Sequence, residues 1–566
     1  FNEKLTKMKD TYLLTHLAKN GDQSYEDEKA HHFFGVQPVE NIYLSWDDMG
    51  DENTADLRYI YLFGGVAVFI LLLACINFVN LSTAKSANRA KEVGLRKVVG
   101  SQRSYLIRQF LTESMMYSFI SFALALVLVT IAMPFFNSLA AKQLSVPWTQ
   151  WWFLPTLTLS AMAIGVFAGI YPAFYLSAVK PVDMLKGSVS HGSRSSGMRS
   201  AMVVFQFTTS IILIIGTFVI YKQMDFIMNK KLGFNKDQVI MIQGASTLER
   251  RHEEFYNELK QLADVENASG SNYLPVAGGS RDNNGYWKEG KIKTEKPVYG
   301  QHWGVDPDYL STMGMKLVEG RNFDWKLKSD TMSIIINQRM AKELGFKNPI
   351  GERIGSWRMF TIIGVVEDFH FDDMRQAIRP LAFTLAIGGD IVSVKVKTKN
   401  MADVIQSINK VWNKFMPHQP FRYTFMDENY ARMYDHVDRL GKIFASFAGL
   451  AILVACLGLF ALSAFMVEQR SKEISIRLVL GASVNNIFRL LTQNFVQLVL
   501  VSFLIAAPVA WYGMTKWLED YKYKIEITWE IFMVAGIISV LIALFTISYQ
   551  SISAALANPA NRLRSE

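Results

Sequence analysis

The 566-residue chain is poor in several things that would place it quickly. It has two cysteines, Cys75 and Cys456, and both fall inside apolar runs. Its large polar segment therefore has no disulfide and must be held by an ordinary core. Neither an H-E-x-x-H zinc motif nor a G-x-S-x-G nucleophile turn occurs, which removes two hydrolase classes. A phosphate-cradling G-x-x-x-x-G-K-[ST] loop is missing too: "GLRKVVGS" (94–101) has the glycines but not the Lys-Ser. No apolar run carries a row of charges, which argues against an ion-coupled secondary transporter with charges at its midplane.

What the chain does have is apolar sequence, 50% of it hydrophobic. These residues gather into runs of about 20, the length that crosses a bilayer. Seven spans are expected, at 59–81, 110–134, 153–176, 200–221, 441–466, 488–512 and 529–551. Pro134, Pro155, Pro172 and Pro508 lie in or at the ends of these spans, which membrane helices tolerate. The net charge of +9 sits largely in short loops, so it reports topology and not nucleic-acid binding. Loop 82–109 carries Lys85, Arg89, Lys91, Arg96, Lys97, Arg103 and Arg108 against one acid, Glu92. With 177–199, 467–487 and the C-terminal tail also basic, the positive-inside rule puts all four in the cytoplasm. Segments 1–58 and 222–440 then lie outside. A chain that starts outside needs an earlier span, so an eighth span and an N-terminal portion before Phe1 are expected.

The chain also repeats itself. Setting Cys75 on Cys456 matches Arg89 with Arg470, Lys91 with Lys472 and Glu92 with Glu473. Arg96 then meets Arg477, Gly100 meets Gly481 and Arg108 meets Arg489, while Asn77 faces Gly458 and Lys97 faces Leu478. Residues 171–187 likewise resemble 549–565, with Pro181 opposite Pro559. Self-similarity at this period marks a duplicated membrane unit. Each unit is one span, an outside domain and three spans.

In each copy the basic stretch reads as a short helix, a turn and a second helix. Glu92 with Arg96, and Glu473 with Arg477, are i,i+4 pairs with the acid first. Gly100 and Gly481 supply the stop, and Ser101 and Ser483 the next N-caps. One reading is positive-inside charge on an interfacial amphipathic helix; the other is a docking surface for a cytoplasmic partner. Topology alone does not require the acid in both copies, which favours docking.

"NRAKEVGLRKVVGSQRSYLIRQFLTES" (88–114) resembles the signature loop of FtsX/MacB-type permeases, the type VII ABC transporter superfamily. The outside segment resembles the MacB-type periplasmic core domain through "YLSTMGMKLVEGRNF" (309–323), "NQRMAKELGFKNPIGERIG" (337–355) and "IIGVVEDFHFDDMRQAIRP" (362–380). The resemblance implies an α-helical transmembrane bundle with an α+β extracytoplasmic domain. Its parts are a remnant of a first periplasmic domain (1–58), a three-span block (59–199), an opening helix (200–221), a second periplasmic domain (222–440) and a second block (441–566). It also implies that Arg89, Lys91, Glu92, Arg96, Gly100, Arg470, Lys472, Glu473, Arg477 and Gly481 form coupling loops on a cytoplasmic ATPase dimer. MacB carries its ATPase on the same chain. Here a separate polypeptide is expected to supply it, with ATP and magnesium bound there and no cofactor, metal or catalytic residue on this chain. The expected setting is the bacterial cytoplasmic membrane, with lipids and a periplasmic adaptor or target as further partners and no nucleic acid. The work implied is export or extraction of a peptide, drug or lipoprotein. The alternative is an FtsX-like signalling protein that controls an extracytoplasmic enzyme such as a cell-wall hydrolase.

In the outside segment, strands are expected at 237–243 and 390–398, helices near 248–264, 337–344 and 401–415, and a hairpin at Glu289-Gly290. "EDFHFDD" (367–373) groups Glu367, Asp368, His370, Asp372 and Asp373 in a metal-like way, but a strand ending in a polar loop explains it better. His31-His32 reads as a solvated pair. Asn77, Asn80, Gln206 and Gln497 read as hydrogen-bonders between helices.

Overall fold

The computed structural model describes residues 2–16, 36, 38, 39, 57–178, 193–276, 281–386 and 388–556. Most of the 1–58 segment, His31-His32, Pro181, Pro559 and the C-terminal tail lie outside the described residues. The chain divides into two units: a helical one, and a β-rich one made mainly of residues 224–436 joined by 519–524.

Four long helices come first: α1 (Leu57–Val98), α2 (Arg103–Ala140), α3 (Phe153–Ala178) and α4 (Ser193–Asn229). The β-rich unit contains α5 (His252–Lys260), α6 (Gln338–Glu343), α7 (Met401–Phe415) and α8 (Met426–Arg432). The chain then continues through α9 (Asp435–Gln469), α10 (Ser471–Val479), α11 (Val484–Glu519) and α12 (Trp529–Leu556). Among the described residues, seven helices are long and apolar enough to cross a membrane, and they coincide with the seven expected spans. Pro134 lies inside α2 and Pro508 inside α11.

Within the helical unit, α1 and α9 pack along a seam that the repeat explains. Phe63 touches Phe444 with ring centroids 5.7 Å apart, and these two are counterparts in the repeat. Two heptads further on, Asn77 lies against its own counterpart, Gly458, where an added Cβ would overlap the Asn77 amide. The Asn77 Nδ2 donates to the Val454 carbonyl at 2.6 Å. Between these contacts Val66, Leu73, Phe444 and Ala451 are buried with Ile70, Phe447 and Val454 packed against them. The 3-4 spacing is that of a parallel, in-register coiled coil. Counterparts that touch each other define a pseudo-two-fold axis, so the two copies face one another as protomers of a dimer do.

The β-rich unit builds one eleven-stranded sheet from two parts. Strands β1 (Val239–Gln243), β2 (Val265–Ser271), β10 (Ile391–Val396) and β11 (Tyr423–Phe425) run in the order β11-β1-β10-β2. Helices α5 and α7 pack on them; α7 buries Val404, Ile408, Val411, Trp412 and Phe415, a 3.6-residue stripe. The second part joins β3 (Asn283–Lys288), β4 (Val298–Val305), β6 (Ser333–Asn337), β7 (Arg353–Gly355), β8 (Met359–Val366) and β9 (Leu381–Leu385). It closes on itself because β9 pairs β6 on one side and β4 on the other. The short β5 (Leu317–Gly320) adds to β8. The expected strands and helices at 237–243, 390–398, 337–344 and 401–415 are found within two residues or so. The expected 248–264 helix is a 3-10 segment followed by α5.

The hairpin at Glu289-Gly290 needs correction. β3 and β4 do pair, but Tyr286 faces Val298, so residues 289–297 are a long connection. "KIKT" alternates like a strand yet joins no β-ladder among the described residues. Its amides close turns instead, Thr294 N and Glu295 N both donating to the Lys291 carbonyl.

Candidate coupling turns and the EDFHFDD loop

The basic stretches end in the same closed turn in both copies. Ser101 N donates to the Arg96 carbonyl at 2.9 Å and Gly100 N to the Lys97 carbonyl at 3.1 Å. In the second copy Ala482 N reaches the Arg477 carbonyl at 2.9 Å and Gly481 N the Leu478 carbonyl at 3.0 Å. This is a Schellman motif twice over. It requires the left-handed residue that Gly100 (φ 101°) and Gly481 (φ 90°) supply without a Cβ penalty.

Two local expectations fail. The first copy has no separate short helix, since α1 runs unbroken from the span to Val98. In the second copy the helix breaks at Arg470 (φ −96°, ψ 11°) and restarts as α10. The counterpart of Ser471, the first residue of α10, is Ala90, and alanine carries a helix onward where serine does not. Nor is Ser101 an N-cap: Gln102 takes that position with no side-chain bond. Ser483 does cap, its Oγ accepting from Asn486 N at 3.3 Å.

The predicted docking residues fare unevenly. The side chains of Arg89, Lys91, Glu92 and Lys472 lie outside the described ones, so the Glu92–Arg96 pair does too. Arg96 donates to the Gln109 side chain at 3.1 Å. Arg477 and Glu473 pair with each other at 2.7 Å. Both are near half exposed, and such a pair contributes about 0.3–0.5 kcal/mol. The two turns are also anchored differently. Lys97 Nζ donates to the Ser177 carbonyl at 2.7 Å, and Arg103 Nε to the Ser177 hydroxyl at 3.3 Å. Burial, then the neighbouring Arg103 charge, lowers the Lys97 pKa. Leu478 stands in its place in the second copy and joins Val467, Ile474, Ile487 and Leu491 in an apolar cluster.

Charge patterning also missed a feature of both turns. Leu95, Val98 and Val99 in the first copy, and their counterparts Ile476, Val479 and Leu480, are all exposed large apolar side chains. Each set has i, i+3, i+4 spacing and so lies on one face.

The "EDFHFDD" loop is a junction of chain segments within the β-rich unit. Asp372 pairs with Arg281 at 3.1 Å and with Arg379 at 2.8 Å. Asp368 Oδ1 accepts from Arg339 N at 2.8 Å, and burial raises its pKa. Asp373 accepts from Arg375 N at 3.0 Å, with burial raising its pKa as well. Among the described residues no three His, Cys, Asp or Glu side chains stand together as metal ligands. The same loop ties down three other stretches of chain. His370 N donates to the Leu232 carbonyl at 2.8 Å, and Met374 N to the Tyr434 hydroxyl at 3.0 Å. Tyr523 N donates to the Met374 carbonyl, its ring edge-on to His370 at 4.5 Å. Arg375 lies 5.3 Å over the ring of Tyr521, which is buried. Residues 519–524, in the connection between α11 and α12, are thus built into the β-rich unit.

Elsewhere in the helical unit a cavity of about 530 Å³ between α1, α4, α9 and α11 is lined mostly by apolar side chains, with Tyr59, Tyr61, Thr208 and Thr209 the hydroxyl-bearing ones. Asn77 and Gln206 both donate to the Val454 carbonyl, at 2.6 and 3.4 Å, as interhelical hydrogen-bonders.

A duplicated block of apolar helices, a matching pair of basic turns and a β-rich unit define the class: a multi-pass membrane protein. Comparison narrows it. A family model described as "FtsX-like permease C-terminal" matches residues 64–181 and again 445–559. One described as "MacB-like periplasmic core domain" matches 200–411. The chain belongs to the FtsX/MacB-like permease family. It is 25% identical over 277 residues to the ABC transporter permease YknZ of Bacillus subtilis, covering 46% of this chain and 69% of that one. It is 26% identical over 145 residues to the macrolide export ATP-binding/permease protein MacB of Bradyrhizobium diazoefficiens, 25% of this chain and 22% of that one. The pyoverdine export ATP-binding/permease protein PvdT of Pseudomonas syringae is 28% identical over 175 residues, 30% and 25% of the two chains. The crystal structure of the extracellular domain of YknZ aligns with 33% of this chain and 98% of its own, at 17% identity and a TM-score of 0.24. The matches to MacB and PvdT fall in the permease part, and the family implies an ATP-binding partner.

Proposed function

We propose that this chain is the permease subunit of an ABC transporter whose ATPase, with its ATP and magnesium, is a separate cytoplasmic polypeptide. The carrying observation is the pair of identical Schellman turns, each bearing the same arginine, glycine and Lys-Glu spacing, on counterpart helices of a pseudo-two-fold bundle. One chain then offers an ATPase dimer two equivalent seats. Arg89, Lys91, Glu92, Arg96 and Gly100 belong to the first seat, and Arg470, Lys472, Glu473, Arg477 and Gly481 to the second. Closure of the dimer on ATP moves α2 and α11, which start at those turns. Residues 519–524 follow α11 directly and belong to the β-rich unit, so a shift in the helix is felt at the junction loop. The membrane is the bacterial cytoplasmic membrane with the β-rich unit on its periplasmic side, where an adaptor or target protein meets it. The task is export or extraction of a peptide, drug or lipoprotein from that side.

The test uses full-length protein purified in mild detergent from its native host, with bound proteins identified and ATP hydrolysis assayed. A stoichiometric ATPase is expected. It should be lost from a Gly100→Val, Gly481→Val double variant, because a β-branched residue at positive φ opens both turns. If the parent protein brings down no ATPase, the transporter reading fails.

A further inference from the structure

The seam between α1 and α9 joins counterpart helices, yet the residues that correspond across it are unlike in size. Ile70 corresponds to Ala451, Leu73 to Val454 and Asn77 to Gly458, with the smaller partner on α9 each time. The order reverses at Val66, which corresponds to Phe447. Phe63 lies against two rings of the other helix, 5.7 Å from Phe444 and 5.9 Å from Phe447. Leu73 and Ala451 are fully buried in this cluster, with Ile70 and Val454 packed on it. Unselected drift pairs large with large as often as large with small. Here every layer from Val66 to Asn77 sets a larger side chain against a smaller one.

Like halves would not pack this way. Two first halves would bring Asn77 to Asn77 and Ile70 to Ile70, at a separation where even a Cβ added at Gly458 overlaps the Asn77 amide. Two second halves would bring Gly458 to Gly458 and Ala451 to Ala451. Those layers would be voids, and the Val454 carbonyl would lose the Asn77 amide that now donates to it at 2.6 Å. Phe444 and Phe447 of both helices would also crowd the space that Phe63 and Val66 now share with one such pair. Specificity of this kind is a difference between affinities, built from clashes as much as from contacts. Timing makes it matter. α1 leaves the ribosome about 380 residues before α9, which at 5–20 residues per second is roughly 20–75 s. Through that interval the first halves of neighbouring chains are the partners at hand.

We infer that the α1–α9 seam is a lock that accepts one first half and one second half and refuses a like half from another copy of this chain. Ile70 and Asn77 are its knobs, and Ala451 and Gly458 are its holes. One chain therefore closes its own bundle, and a second copy does not enter it.

The experiment uses the full-length protein with Cys75→Ala and Cys456→Ala, made in its native host and treated in membranes with a short, membrane-permeant bis-thiosulfonate. With Phe63→Cys and Phe444→Cys on one chain, the crosslink should form within the chain. With Phe63→Cys alone, two differently tagged copies expressed together should give no link between chains. Adding Ala451→Ile and Gly458→Asn puts knobs on both helices and should lower the internal crosslink by ~10-fold. Ile70→Ala and Asn77→Gly put holes on both and should lower it similarly. Expressed together, those two chains should recover the crosslink as a link between chains. All these substitutions in one chain move the knobs to α9 and the holes to α1, and should return the internal crosslink to at least about half of the parent level. That recovery separates mispairing from a failure to fold. Equal crosslinking in every variant, a link between first halves of the parent, or no recovery in the exchanged chain would each overturn the inference.

Discussion

His302 and His370 are held well below the ordinary imidazole range, each down to about 4. Burial is the main cause for both, with the Lys230 charge adding to it at His370. His302 bridges strands: its ring nitrogens lie 3.4 Å from the Tyr286 hydroxyl and 3.1 Å from the Thr384 hydroxyl. His370 sits in the junction loop against Tyr523. The unfolded chain binds protons on these rings from about pH 6.5 downward, and the folded unit does not until about pH 4. Stability therefore falls as pH drops through that window. Hydrogen exchange of the β4 and β9 amides, corrected for intrinsic rates, should speed up between pH 7 and pH 5. His302→Gln should remove about half of that dependence, and an unchanged slope would mean that His302 titrates normally.

At the scale of elements, the α1–α9 seam sets the fold of the helical unit. It places an asparagine on one side of the axis and a glycine on the other, so the Asn77 amide fills the notch that Gly458 leaves. Gly458→Ala overpacks that notch and should cost about 1–3 kcal/mol. In an Asn77→Ala background the same change should cost under about 0.5 kcal/mol, because the amide it strikes is gone. Asn77→Ala by itself should lose about 0.6 kcal/mol of interhelical hydrogen bonding. Denaturation of the four proteins in detergent completes the cycle, and additive costs would show that the two positions do not meet.

For the whole molecule, the charge pattern predicts that every basic connection is cytoplasmic, so topology is testable residue by residue. Cysteines placed at Leu95 and Leu480 should react with an impermeant maleimide only from the cytoplasmic face, and one at Trp151 only from the outer face. Trp148, Trp151 and Trp152 are exposed at the outer connection of α2 and α3, where aromatic side chains sit at headgroup level. Labelling of Leu95 and Leu480 from opposite faces would break the two-copy arrangement. Residues 519–524, between α11 and α12, belong to the β-rich unit.

Local pattern by itself determined the spans, their orientation, the repeat and the turn glycines. A bilayer demands unbroken apolar length, short loops declare their side through lysine and arginine, and a Schellman turn demands a residue free to adopt positive φ. Tertiary structure alone decided the rest. That Asn77 meets Gly458 depends on which face of α1 turns to α9, and sequence separation hides it. That Leu95 and Ile476 are exposed depends on Val93 and Ile474 having taken the inside. The acids of "EDFHFDD" resemble metal ligands until Arg281 and Arg339, distant in sequence, are brought beside them along with the nearby Arg379. Such pairings are long-range, and only the packed chain fixes them.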